Sequence, residues 1–207
     1  MALASRLRAA GGDALHVYDP RYLHVTVASP VVFFSATKAY PDDKSRSELT
    51  AAVTAAMDDE CTGASGFFPR AVRATAVRVE RREKAVIVLY DDPVGAVERA
   101  RDCVERLRTR EELGRLGLFD GAAGGFKMPR RIVHTTVARF VAPPAEPGSA
   151  EEAEWCRAID EACAAWRPVE VPVEEVRLVR ESLPYMHVDI VAETVWRRDI
   201  GERAAEE

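Results

Sequence analysis

Two short segments of this sequence place a threonine two residues after a histidine. His24 and Thr26 lie in YLHVTVAS, and His134 and Thr136 lie in IVHTTVAR. The chain has only four histidines, and each of these two sits in an apolar run that continues with Val-Ala. Side chains alternate between the faces of a strand, so each histidine should share a face with its threonine. A repeated pattern of this kind indicates a functional pair rather than two isolated structural residues.

Two imidazoles facing one phosphodiester could divide its proton transfers. The unperturbed pKa of histidine is close to neutral, so one ring can be neutral while the other is protonated. The neutral ring takes a proton from the attacking water, and the protonated ring gives one to the leaving oxygen. Threonine hydroxyls can donate hydrogen bonds to the non-bridging oxygens and stabilise the charge of the transition state. A 2′,3′-cyclic phosphate of an RNA end suits such a site, because it is strained and needs no strong nucleophile.

The elements around the two motifs follow one order in both halves of the chain: strand, capped helix, strand, strand. The first strand is predicted at Tyr22–Ser29. Capping boxes predict where the helices begin: Ser45 with Glu48, and Ser149 with Glu152. The glycine-rich stretch GLFDGAAGG separates the halves, and a charged tail, RRDIGERAAEE, ends the chain. We therefore expect an α+β protein with two similar lobes, each an antiparallel sheet with helices on its outer face.

In this interpretation residues 1–207 form one domain with a central cleft. Lobe one covers about residues 14–92 and lobe two about residues 125–196, and an exchange of elements between the lobes stays open. A pseudo-twofold axis between the lobes would bring the two motifs to opposite sides of the cleft.

The sequence resembles the two-histidine (LigT-like) phosphoesterases. The resemblance rests on HVTV at His24–Val27, on HTTV at His134–Val137, on their separation, and on the two-lobe order of elements. Members of that family are bilobal α+β proteins that act, without a metal, on 2′,3′-cyclic phosphates or related RNA ends. The resemblance implies that His24 and His134 are the acid/base pair, that Thr26 and Thr136 bind phosphate, and that no cofactor is needed.

Other side chains could complete a substrate site. Strict alternation puts Arg139 on the face opposite His134, unless the strand bulges or ends there. Lys127 and Arg131, upstream of the second motif, could guide a phosphate. Tyr22 and Tyr185 could stack on a base.

Alternatives remain open on the sequence alone. His24, His134, His187 and Asp189 could instead bind a divalent metal that activates water. The substrate could be a 2′-5′-linked or other oligonucleotide or a cyclic dinucleotide. A nucleotide-binding module without turnover would be a function of a different class.

Bulk properties limit the partners. A net charge of −5 and a pI of about 5.5 argue against binding to long duplex nucleic acid. The four cysteines show no CxxC spacing, which favours free thiols in a reducing compartment. A short amphipathic helix, with Leu3 and Leu7 inward, should stop at Gly11-Gly12. We expect a cytoplasmic monomer that acts on a nucleotide or short RNA end, with no membrane contact.

Overall fold

A computed structural model describes residues 2–29, 42–62, 72–117, 132–142, 145–180 and 193–199. The helices are α1 (Leu3–Gly11), α2 (Asp43–Thr62), α3 (Ala96–Leu107), α4 (Glu111–Arg115) and α5 (Ala150–Ala164). The strands are β1 (Leu15–Val17), β2 (Val72–Arg81), β3 (Ala85–Asp91), β4 (Val133–Phe140), β5 (Val169–Val173), β6 (Glu175–Val179) and β7 (Thr194–Asp199). The paired strands with known register are all antiparallel, so the predicted α+β class is confirmed.

The chain divides into two compact units, and each takes stretches from both halves of the sequence. The first unit comprises Met1–Val25, Ala74–Asp91 and Ile132–Val171. The second comprises Thr26–Arg73, Asp92–Arg131 and Pro172–Glu207. Both histidines of the predicted pair, His24 and His134, belong to the first unit.

Most of a five-stranded sheet, in the order β1-β4-β3-β2-β5, lies in the first unit. Helices α1 and α5 pack on one face of this sheet, where their apolar side chains meet those of β1, β3 and β4. The buried residues of this core are Leu7, Leu15, Ala76, Val79, Val86, Val88, Val137, Ala138, Ile159, Ala162 and Cys163. Burial of this apolar surface is what holds the sheet and its helices together.

Local sequence signals set the end of α1 and the start of α5, as predicted. Helix α1 buries Leu7 completely and ends at Gly12, whose φ of 53° lies in the left-handed region that favours glycine. Helix α5 begins after Ser149, whose hydroxyl accepts a hydrogen bond from the Glu152 backbone N–H at 3.1 Å.

The second unit packs α2, α3 and α4 with a two-stranded sheet of β6 and β7. Its core contains Met57 from α2, Leu107 from α3, Leu113 from α4 and Trp196 from β7. The indole N–H of Trp196 donates to the Asp58 carboxylate at 2.7 Å, which satisfies its polar atom on burial.

The predicted strand at Tyr22–Ser29 is wrong. Residues Pro20–Tyr22 form a short 3-10 helix, and residues 23–28 have no regular structure. The Asp19 carboxylate accepts the N–H of Arg21 at 3.0 Å and starts a turn where the strand should begin. Further on, the carbonyls of His24 and Val27 accept hydrogen bonds from the side chains of Thr135 and Arg101 instead of from a neighbouring strand.

The N-cap predicted for the following helix is also displaced. Helix α2 begins at Asp43, and the Asp42 carboxylate accepts hydrogen bonds from the backbone N–H of Ser45 at 2.8 Å and from its hydroxyl at 2.9 Å. These bonds lower the pKa of Asp42, because they stabilise the charged carboxylate. Ser45 is therefore a donor to the cap rather than the cap itself.

Strand β7 includes Arg197, Arg198 and Asp199, which were predicted to belong to a charged tail, and β5 was not predicted. In the described part of the chain, Cys103, Cys156 and Cys163 form no disulfide. None of the helices in the described ranges combines the length and apolar character that crossing a membrane requires.

Candidate functional site

The register of β3 and β4 decides which side chains share a face with His134. On β3, Val86 and Val88 belong to the helix-covered core, whereas Ala85, Ile87 and Leu89 form a separate buried cluster. We call the face that carries Ala85, Ile87 and Leu89 the distal face. Directly opposite residues of an antiparallel pair lie on the same face.

His134 and Thr136 lie on the distal face, because His134 pairs with Leu89 and Thr136 pairs with Ile87. Both side chains are half-buried, and Nδ1 of His134 is shielded from solvent. The predicted sharing of one face by this His-x-Thr pair is confirmed.

A β-bulge brings Arg139 to the distal face as well. The register shifts so that Ile87 pairs with Thr136 and Val86 with Ala138, which leaves Val137 as the extra residue. Arg139 then pairs with Ala85. The strict alternation that would place Arg139 on the opposite face does not apply, because the strand bulges between the motif and the arginine.

His24 lies in the irregular segment 23–28, where its ring is half-buried. Its Nδ1 atom is 2.9 Å from the Tyr22 carbonyl oxygen. A carbonyl only accepts hydrogen bonds, so Nδ1 carries the proton and donates it. In the neutral ring, Nε2 is then the nitrogen with a free lone pair, as a general base requires.

A hydrogen bond from β4 reaches the main chain of His24. The Thr135 hydroxyl donates to the His24 carbonyl oxygen at 2.8 Å, across 111 positions of sequence. Thr135 is 2% exposed and pairs with Val88, so it points away from the distal face. This contact brings the two histidine-bearing segments of the first unit together.

Thr26 is assigned to the second unit and is half-buried. The segment after it is held by Arg101 of α3, whose Nε donates to the Val27 carbonyl oxygen at 3.2 Å. Arg101 is fully buried and also pairs with Glu98. A buried guanidinium with charged and carbonyl partners fixes the backbone that follows the first motif.

Of the other predicted substrate contacts, Tyr22 is half-buried, and the Arg21 guanidinium lies 5.0 Å from the centre of its ring. This cation–π contact covers one face of the ring on which a base was predicted to stack. Lys127, Arg131 and Tyr185 lie outside the described residues.

The rival metal site cannot be assembled from the part of the chain that is described. His187 and Asp189 lie outside it, and the described residues contain no group of three or more histidine, cysteine, aspartate or glutamate side chains placed to hold a metal ion.

Two residues that position the motifs were not identified from the sequence. Arg101 carries a usable signal, because it stands four positions after Val97 and three before Val104, on the buried stripe of α3. A charge on such a stripe needs a partner. Thr135 carries no such signal, since threonine is common in strands and its long-range partner depends on the fold.

The described part of the site thus supplies an imidazole, a hydroxyl and a guanidinium on one sheet face, and a second imidazole on a segment bonded to the same strand. Comparison with protein-family models, with curated proteins and with solved structures gave no match to this chain.

Proposed function

We propose that this protein is a phosphodiesterase that hydrolyses 2′,3′-cyclic phosphates of nucleotides or RNA ends without a metal ion. The observation that carries the proposal is the hydrogen bond between Thr135 and the His24 carbonyl, which joins the two histidine-bearing segments within one compact unit. Two imidazoles, a hydroxyl and a guanidinium are the groups that acid/base cleavage of a phosphodiester uses.

In this proposal each of the two imidazole rings carries out one proton transfer. A neutral imidazole removes a proton from water as the water oxygen attacks phosphorus. The protonated imidazole gives its proton to the ribose oxygen as the bond between phosphorus and that oxygen breaks, which leaves a phosphate monoester. Exchange with solvent then resets both rings. Because Nδ1 of His24 donates to Tyr22, the proton that His24 takes or gives is carried on Nε2.

The hydroxyl of Thr136 and the guanidinium of Arg139 share the face of His134, and in this proposal they bind the non-bridging phosphate oxygens. The charge-assisted hydrogen bond from the guanidinium is stronger than the hydrogen bond from the neutral hydroxyl. Thr26 takes the equivalent role for the first motif. The proposal includes two pseudo-symmetric lobes around a central cleft and a monomeric enzyme in the cytoplasm.

The test is phosphorus NMR of the purified protein with a panel of 2′,3′-cyclic mononucleotides in excess EDTA. We expect the cyclic signal to convert to one monoester isomer. Hydrolysis that occurs only after a divalent metal is added would contradict the metal-independent mechanism. Binding without turnover, or turnover of 2′-5′-linked oligonucleotides alone, would replace the proposed reaction with one of its alternatives.

The histidine variants identify the acid/base pair in the same assay. His24→Ala and His134→Ala should each lower kcat by about 10²- to 10⁴-fold, the usual contribution of one acid/base group. Thr109→Ala is the control, because Thr109 is exposed in the second unit and belongs to neither motif. If either motif histidine could be replaced with no loss of rate, the paired assignment would be wrong.

A further inference from the structure

We infer that Thr135 is a positioning residue that fixes His24 relative to His134; the inference rests on the proposed function. Thr135 stands between the two motif residues of β4, but it points to the helix-covered face. Among the described residues it is one of two polar or charged residues that are buried, at 2% exposure, and its hydroxyl donates to the His24 carbonyl oxygen at 2.8 Å.

The segment that carries His24 depends on such a contact. Residues 23–28 form no strand, so no ladder of backbone hydrogen bonds sets their position against β4. The His24 ring bonds locally, to Tyr22, which fixes its orientation but not the place of the segment in the fold. The bond from Thr135 supplies a long-range constraint at His24 itself, whereas the bond from Arg101 holds the segment three residues later.

The constraint acts directly between the two proposed acid/base residues. The carbonyl that accepts the bond belongs to His24 itself, and the residue that donates it is covalently joined to His134. A displacement of the His24 main chain would therefore change the distance between the two rings. Because proton transfer requires reacting atoms within hydrogen-bond reach, a shift of about 1 Å can reduce the rate about 10²-fold.

Threonine suits this position better than other residues of similar size. Its β-branched side chain is stiff at χ1 and favours a strand, so the hydroxyl is held in one direction. Valine has nearly the same shape without the donor, and serine keeps the donor without the second branch. The pair Thr135→Val and Thr135→Ser therefore separates the hydrogen bond from packing.

The first measurement is steady-state hydrolysis of a 2′,3′-cyclic mononucleotide by both variants. Thr135→Val should lower kcat by about 10- to 100-fold, with a smaller change in KM, because the bond acts on a proton-transfer group. Thr135→Ser should stay close to the wild-type rate. If Thr135 acted only through packing, Thr135→Ser would lower kcat more than Thr135→Val. That result would overturn the inference.

The second measurement is nitrogen-15 NMR of the histidine rings, with the His24 signals identified by their absence from the His24→Ala spectrum. The His24 signals should move or broaden in Thr135→Val and stay unchanged in Thr135→Ser. The His16 signals are the internal control for correct folding. Unchanged His24 signals in a folded Thr135→Val protein would overturn the inference.

The two measurements separate this inference from the proposed function. If the wild-type protein hydrolyses no cyclic phosphate, the proposed function fails, and the His24 signals still decide whether Thr135 positions that ring. If Thr135→Val does not fold, Thr135→Ser keeps the inference testable, since loss of the wild-type His24 signals in that folded variant would contradict it.

Discussion

Arg139 lies on the same face of the sheet as Thr136, although the two residues are separated by an odd number of positions along β4. The extra residue of the bulge, Val137, makes this possible, and it lets both Val137 and Ala138 face the helix-covered core. One local irregularity thus adds a fixed positive charge to the face that carries His134.

The first prediction concerns this charge. Arg139→Ala should raise KM for a 2′,3′-cyclic mononucleotide by about 10- to 100-fold, because one charge-assisted hydrogen bond to phosphate is lost. Steady-state kinetics with Arg8→Ala as the matched control makes the measurement, since Arg8 is exposed in the last turn of α1. An unchanged KM in Arg139→Ala would remove Arg139 from the proposed site.

A second prediction concerns the tautomer of His24. The bond from Nδ1 to the Tyr22 carbonyl at 2.9 Å should hold the neutral ring in the Nδ1–H form, with Nε2 unprotonated. Long-range nitrogen-15 NMR of the neutral ring distinguishes the two nitrogens. A neutral His24 protonated on Nε2 would be incompatible with this hydrogen bond and with Nε2 as the base.

Gly11 gives a prediction about stability. A Cβ atom built on Gly11 would overlap the side chain of Leu15, which lies in the core of the first unit. Gly11→Ala should therefore lower the free energy of unfolding by about 1–3 kcal/mol through overpacking.

Gly114 in α4 is the matched control for Gly11, because nothing lies within 4 Å of its added Cβ. Gly114→Ala should be neutral or stabilising by up to about 1 kcal/mol, since alanine loses less backbone entropy in a helix. Urea unfolding of both variants tests the pair, and equal effects of the two substitutions would contradict the argument.

The fourth prediction is a pH dependence that arises from Cys163. Burial raises the pKa of this thiol from its usual 9.0 to about 11. The unfolded chain therefore loses this proton first as the pH rises, so the contribution to stability is complete below pH 9 and falls between pH 9 and 11.

Cys163→Ala isolates this contribution. The excess stability of the wild-type protein over Cys163→Ala should shrink by about 2 kcal/mol from pH 8 to pH 11, measured by denaturant unfolding. The same comparison with Cys156→Ala, a partly exposed cysteine on the same helix, is the matched control. A difference that stays constant with pH would show that the thiol is not protected by burial.

Elements with strong local signals could be predicted from the sequence. The stop of α1 at Gly11-Gly12 and the cap of α5 at Ser149 depend on residues next to each other, and both predictions are confirmed. The strand that holds His134 and Thr136 was predicted from a short apolar run, and it is also confirmed.

Features that depend on distant partners could not be predicted in this way. The bulge at Val137 leaves no trace in an apolar run, because Val-Ala reads equally well as regular strand. The alternating residues around His24 predict a strand, yet the carbonyls of His24 and Val27 bond to the side chains of Thr135 and Arg101. Strand β7 contains the charged residues that suggested a tail, and its place in the fold depends on Trp196, which is buried.

The position of β4 between β1 and β3 has a consequence for synthesis on the ribosome. Leu15 and His16 pair with Phe140 and Arg139, so β1 has no partner among the described strands until that later segment has left the exit tunnel. At the usual speed of translation, the nascent chain waits for about 6 to 25 s with the apolar side of α1 uncovered. The contacts that complete the first unit therefore form only after β4 has been synthesised. An N-terminal fragment that stops before β4 would contain His24 without the strand to which it is bonded.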